Sequence, residues 1–285
     1  MMAAPPLSYC AEQVRTFDSD RFLSWLFAAP AEREALMAVG AFNLEIARIR
    51  EQVQQPLLGH MRLRWWADVL DATYAGSPPP HPVAAALAEA VARFAISRDC
   101  LDRLLAGRAA DLDDAVPHSL PALIDYAEAT SGSLARAGLQ ILAVSDEQTK
   151  AAAREVAIAW ALVGLVRAIP FHARTRRSYL PADLSREAGL DVARLFDRRT
   201  PEALRALRAV VERLTGVAAD HLVRARGRRR SVANAALPVL LHGRLADLYI
   251  DRLRRAGFDP FDSQVQAKAP WRMLRLSAAH LRRRY

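Results

Sequence analysis

Apolar residues recur along this chain in steps of three and four, the rhythm that gathers them on one side of an α-helix. Leu204, Leu207, Val211, Leu214, Ala218 and Leu222 keep that step, so the segment 201–226 is expected to be a long amphipathic helix. The same reading predicts a helix over 32–50, facing inward through Leu36, Val39, Phe42 and Ile46, and another over 61–74. Phe22, Leu26 and Phe27 open an earlier helix that Pro30 breaks. The turn Gly76-Ser77-Pro78-Pro79-Pro80 closes the helix at 61–74. Further helices are expected at 82–94, 97–111, 120–144, 146–169 and 232–256. The segments 111–118 and 170–200 lack the period and read as irregular, as do the stretches around Pro260 and Pro270. Alternating runs of Val, Ile and Thr are hard to find, no long repeat recurs, and no Gly/Ser linker divides the chain. The expectation is one all-α domain over 1–285.

Composition agrees with a packed helical protein. Of the 285 residues 52% are hydrophobic and 25% charged, an ordinary globular balance. Alanine and leucine, both strong helix formers, dominate together with arginine. The net charge of +9 is carried almost wholly by arginine, lysine occurring at Lys150 and Lys268 alone. Genome composition can skew arginine against lysine, so the skew itself carries no function. A basic surface suits nucleic acid, anionic lipid or a diphosphate. Nucleic acid is set aside, because no zinc-finger spacing and no RNA-binding aromatic motif accompanies the charge. Cys10 and Cys100 have no metal-site spacing and fit a reducing compartment. No signal peptide is read at the N-terminus, and the longest apolar runs, such as Val156–Val166, are too short to span a bilayer. A cytoplasmic protein is expected, with peripheral contact at the inner membrane left open.

Several strings follow in a fixed order. Asp20-Arg21-Phe22-Leu23 precedes Pro30, Arg33 and Ala41-Phe42-Asn43; then come Met61-Arg62-Leu63-Arg64-Trp65-Trp66, Tyr74-Ala75-Gly76 and His81-Pro82-Val83-Ala84. Later stand Gly107…Asp111-Leu112, Leu123…Tyr126…Gly132, Gly164-Leu165 and Tyr179-Leu180-Pro181. In that order and spacing, from about Ser19 to Asp259, the chain resembles the squalene/phytoene synthase family of head-to-head prenyltransferases. The resemblance implies an all-α helical bundle of the isoprenoid synthase type with a central cavity. It also implies two facing Asp-x-x-x-Asp clusters that hold Mg²⁺ and the leaving diphosphate. Carboxylates four residues apart share one helix face, and Mg²⁺ requires such hard oxygen ligands.

The two windows where those clusters fall depart from the family. The first reads Ala47-Arg48-Ile49-Arg50-Glu51, with Glu51 its lone acid, and the second, 165–178, contains no acid but four arginines besides His172. A narrower resemblance accommodates this. Ala41 to Ile49 and the acid-free Pro170-Phe171-His172 turn are similar to the branch that includes the mitochondrial complex I assembly factor and its alphaproteobacterial relatives. That branch implies a non-catalytic assembly or scaffolding role, with respiratory complex I subunits or assembly intermediates as partners. The alternatives are an active prenyltransferase condensing two prenyl diphosphates, which alone would require Mg²⁺, and a metal-free binder of a prenyl diphosphate or anionic lipid.

No catalytic residue and no metal ligand is assigned from the sequence. The candidate anion or diphosphate site comprises Arg21, Arg48, Arg50, Glu51, Tyr126, Arg167, His172, Arg174, Arg177 and Tyr179. Arginine's planar fork matches phosphate. Each of these arginines taken alone reads more readily as a solvated surface charge, and Glu51 as an ion-pair partner of Arg48 or Arg50. Asp247…Asp251 is a literal Asp-x-x-x-Asp, read as a solvated face paired with arginines. The basic stretch 224–230 and the tail Arg282-Arg283-Arg284 are candidates for anionic lipid, or plain solvated segments.

Overall fold

The structure is a computed structural model and describes residues 7–53, 55–113, 116–267 and 269–285. The first six residues, part of the N-terminal stretch read for a leader, lie outside the described residues, as does Lys268. Helices follow one another from α1 (Tyr9–Phe17), α2 (Ser19–Trp25), α3 (Pro30–Ala47) and α4 (Ile49–Gln52) to α5 (Pro56–Tyr74), α6 (Pro82–Phe94) and α7 (Arg98–Ala109). After them come α8 (Leu120–Ala127), α9 (Ser133–Ile141), α10 (Glu147–Arg167) and α11 (Ile169–Arg174). The chain continues through α12 (Ala182–Glu187), α13 (Val192–Asp197), α14 (Pro201–Gly227), α15 (Leu237–Leu240), α16 (His242–Arg255), α17 (Ser263–Gln266) and α18 (Arg272–Leu281). No strand occurs among the described residues.

The starts of these helices are written locally. Proline occupies the first turn of α3, α5, α6 and α14, where its missing N–H is not needed. Side chains of Ser8, Asp18, Asp146 and Thr200 accept backbone N–H bonds and cap α1, α2, α10 and α14. Two apolar cores result. One is built by α1, α3, α5, α6 and α7 around Trp25, Phe42 and Leu70; the other by α8, α10, α14 and α16 around Ile158, Leu214 and Tyr249. α9 joins them, giving Leu134, Ala137 and Ile141 to the first and Ala135 and Leu139 to the second. α3 passes so near Trp25 that a Cβ on Gly40 would stand 2.5 Å from Trp25 Cζ3, so only glycine permits this approach.

Four expectations are corrected. α1 was not predicted, since Cys10, Ala11 and Val14 are its only buried residues. The helix over 120–144 is interrupted at Glu128–Gly132 by one π-helical turn, where Thr130 Oγ1 donates to the Tyr126 carbonyl at 2.7 Å. The segment 170–200 holds most of α11 and all of α12 and α13. The helix over 232–256 is broken into a 3₁₀ turn at Asn234–Ala236, the short α15 around Pro238, and α16.

One buried acid ties distant elements together. Asp20, 8% exposed at the start of α2, accepts from the Tyr249 hydroxyl of α16 at 2.6 Å and from Arg272 Nη1 of α18. Arg167, at the end of α10, lies flat over the Tyr249 ring at 3.5 Å and 3.9 Å from Asp20 Oδ2. Burial, with Asp20 adding to it, pushes the Tyr249 hydroxyl up to about 12, so it stays protonated and donating.

Candidate functional site

A cleft of about 480 Å³ opens between the end of α3, α4, the loop after α7, α8 and the junction of α10 with α11. Its deepest side is a polar network. Arg108 Nη1 donates to Tyr126 Oη at 2.8 Å and to Asp111 Oδ2 at 3.2 Å, while Nη2 donates to Asn43 Oδ1 at 3.1 Å. Tyr126 and Tyr179 each donate a hydroxyl to Asp111 Oδ1 at 2.7 Å. Asp111, 4% exposed, therefore holds an arginine and two tyrosines from three separate segments. The arrangement depends on Gly107: a Cβ there would stand 3.0 Å from Ala129 Cβ in the π turn, so the glycine lets α7 close on that turn and brings Arg108 to Tyr126.

Electrostatics follow from burial. The Tyr126 and Tyr179 hydroxyls are raised well above the usual range, burial first and Asp111 next or close behind, so both remain donors at neutral pH. Burial raises Glu51's carboxyl against the pull of Arg48 and Arg177. Burial, reinforced by repulsion from Arg177, brings His172 down to about 4, and its ring leans on Tyr179 at 4.8 Å. Below pH 6.5 an unfolded histidine takes up a proton that this one refuses. Its contribution is thus fully present above pH 6.5 and is lost as the pH falls towards 4. In urea denaturation, His172→Gln is expected to flatten that loss by about 3 kcal/mol between the two values. An unchanged slope would show that the ring titrates as in water.

The structure brings Arg50, Glu51, Tyr126, His172, Arg177 and Tyr179 together on the walls of this cleft. The remaining four expected residues sit elsewhere. Arg48 lies over the Phe17 ring at 3.7 Å and 3.9 Å from Glu51 Oε2. Arg21 pairs with Asp18 at 2.8 Å, and Arg167 belongs to the Asp20 cluster. Arg174 is exposed and outside the cleft. Asn43, Arg108 and Asp111 were not among the expected residues. Their signal was the Gly107…Asp111 string, where an arginine and an aspartate three apart at a helix end share one face. The decoy resolves as read: Asp247 accepts from Arg226 at 2.6 Å and Arg244 at 3.2 Å, and Asp251 pairs with Arg254 at 3.8 Å.

Behind the cleft the bundle is nearly filled. His172, Arg177, Tyr179 and Leu165 also bound a second space, closed by Leu123, Val166, Ile169, Leu195 and Leu214, that retains only about 10 Å³. The cavity is therefore open at its polar mouth and packed at its apolar end. Ligand pockets for molecules of drug size hold roughly 300–1,000 Å³.

The carboxylates do not suit a cluster of magnesium ions. Among the described residues Glu51 and Asp111 are the two acids lining the cleft, and Asp111 is already engaged by three donors. Among the described residues, no group of three or more His, Cys, Asp and Glu side chains is placed to hold a metal ion. No helix among the described residues is long and apolar enough to cross a membrane.

Comparison with known proteins sets this geometry in context. Over 278 residues the chain is 34% identical to the mouse (Mus musculus) protein named NADH dehydrogenase (ubiquinone) complex I, assembly factor 6, covering 97% of this chain and 82% of that one. A phytoene synthase of Cereibacter sphaeroides is 32% identical over 155 residues, 54% of this chain and 43% of its own length. Among solved structures, a dehydrosqualene synthase in complex with ligand superposes with a TM-score of 0.82 at 18% identity, covering 96% of this chain and 95% of that one. The fold is thus the all-α isoprenoid synthase bundle that the ordered strings imply. Residues 14–275 match the squalene/phytoene synthase family, and the chain belongs to it.

Proposed function

We propose that this chain is a non-catalytic member of its family that serves in the assembly of respiratory complex I, acting on the cytoplasmic side of the respiratory membrane. The observation that carries the reading is the likeness to the mouse assembly factor over nearly the whole chain, against about half of it for the phytoene synthase. The site supports the same conclusion. Ionising a prenyl diphosphate requires metal ions and cations around the leaving group. The windows 47–51 and 165–178 contribute Arg50, Arg177 and one acid, Glu51, to the cleft, and the apolar space behind it is too small for a prenyl chain. Both Asp-rich clusters of the family are absent in this reading, and the chain is a pseudoenzyme.

Deleting the gene is expected to deplete assembled complex I on native gels and to lower NADH:ubiquinone activity, with re-expression restoring both. Complex I at wild-type level in the deletion strain would end the proposal. Purified protein incubated with labelled farnesyl or geranylgeranyl diphosphate and Mg²⁺ is expected to yield no squalene- or phytoene-like product. Turnover at an ordinary enzymatic rate would establish the prenyltransferase instead.

A second reading concerns the cleft itself. Arg177 stands on its wall over the Tyr179 ring at 5.2 Å and forms no ion pair among the described residues, with Arg108 and Tyr126 beside it. This favours a phosphate-bearing ligand, such as a prenyl diphosphate or a lipid headgroup, held without metal. Calorimetry with pyrophosphate in a metal chelator is the direct test. Arg177→Ala is expected to weaken binding about tenfold or more, the scale of one lost charge-assisted hydrogen bond. Equal affinity in wild type and variant would remove the cleft as the site.

A further inference from the structure

The two basic stretches singled out in the sequence are far apart in the chain and adjacent in space. Tyr285, 4% exposed, donates its hydroxyl to the Ala225 carbonyl at 3.0 Å, and Arg226 Nε donates to the Tyr285 carbonyl at 3.0 Å. Arg229 Nη2 reaches the Arg283 carbonyl at 3.5 Å. These bonds stitch the tail to the end of α14 and merge the two stretches into one positive patch. Within it Arg224 is engaged by Glu155 at 2.9 Å and Arg226 by Asp247 at 2.6 Å. Arg228, Arg229 and Arg230, with Arg282, Arg283 and Arg284, form no ion pair among the described residues.

The helix leading into this patch supplies apolar surface. α18 buries Leu276 and Ala279 against the body. On its opposite side Trp271, Leu274 and Leu281 recur at helical spacing and are 72%, 61% and 82% exposed. Trp271 stands at the helix start with φ 59°, a left-handed conformation costly for so bulky a residue. A row of large apolar side chains left in water beside unpaired arginines is the pattern of a helix lying in a membrane interface, where tryptophan and arginine are both favoured.

We propose that α18 and the joined arginine patch form a docking face for an anionic lipid bilayer, with the apolar row entering the headgroup boundary and the arginines meeting lipid phosphates. The charge selects this occupant. Residues 271–285 contain no acid, and the arginines beside them outnumber Glu155 and Asp247, so the face complements a negative surface. The inference is independent of the assembly role and of the cleft.

The test is flotation of the full chain with vesicles of phosphatidylcholine alone or mixed with phosphatidylglycerol, at low and high salt. Binding is expected to the anionic vesicles and to weaken with salt. Arg282→Gln/Arg283→Gln/Arg284→Gln is expected to lower that binding about a hundredfold, since each basic residue near such a surface contributes independently. Leu274→Glu/Leu281→Glu should abolish it with the helical circular dichroism unchanged, as both side chains are exposed. Equal partition onto neutral vesicles, no binding to either kind, or full binding by both variants would each overturn the proposal. Loss of a protein partner from these variants without any vesicle binding would assign the face to a protein instead.

Discussion

Asp111→Ala is expected to destabilise the fold by about 3–5 kcal/mol, the usual consequence of removing one partner from a buried ion pair. The side chain is nearly inaccessible and satisfies the Arg108 guanidinium and the Tyr126 and Tyr179 hydroxyls together. Without it the guanidinium keeps only Tyr126 and Asn43 and faces uncompensated charge. Each tyrosine hydroxyl also loses its carboxylate acceptor. Asp111→Asn retains an acceptor oxygen and should cost less than the alanine variant. Denaturant unfolding monitored by circular dichroism orders the two, and a loss below about 1 kcal/mol for alanine would mean that solvent already screens the network.

The second large effect is expected at Asp20→Ala, again about 3–5 kcal/mol. Here the loss is spread over four helices, because Asp20 of α2 receives Tyr249 of α16 and Arg272 of α18, with Arg167 of α10 close by. Removing the carboxylate leaves two guanidinium groups beside each other with no acid between them. α18 should then loosen first, since Leu276 and Ala279 are its only buried residues. Limited proteolysis is expected to cut near Ala269–Trp271 in this variant before any other site. Tyr249→Phe, which removes one hydrogen bond and leaves the ion pairs, should cost only about 1 kcal/mol. Equal losses from the two substitutions would assign the stabilisation to the Tyr249–Asp20 hydrogen bond rather than to the ion pairs.

The long helices were legible because their buried faces repeat without interruption: the segments predicted at 82–94 and 201–226 match α6 and α14 within a residue at either end. Where the pattern misled, a physical reason is at hand. α5 begins at Pro56, before its expected start at Met61, because its first turns leave Leu57, Leu58 and Met61 exposed and offer no inward rhythm to read. The cleft was half legible. The two windows 47–51 and 165–178 could be located by resemblance, and Arg50, Glu51, His172 and Arg177 from them do meet. Which arginines turn inward could not be read, because Arg48 and Arg50 differ in fate through tertiary neighbours: the first covers Phe17, the second lines the cleft. The centre of the network was missed for a similar reason. Arg108 and Asp111 look locally like a surface helix pair, and only the approach of Tyr126 and Tyr179 from distant segments buries them.

The π turn at Glu128–Gly132 sets a phase between α8 and α9. An α-helix advances about 100° per residue, so deleting one residue from the regular turns on either side of it would rotate α8 by about that angle against α9. Tyr126 would swing away from Asp111, and Leu123 and Ala127 would leave the core they now fill. Point substitutions leave this indexing intact whatever they do to individual contacts. A single-codon deletion does not, so lengths across 120–141 are held more tightly than the residues that fill them.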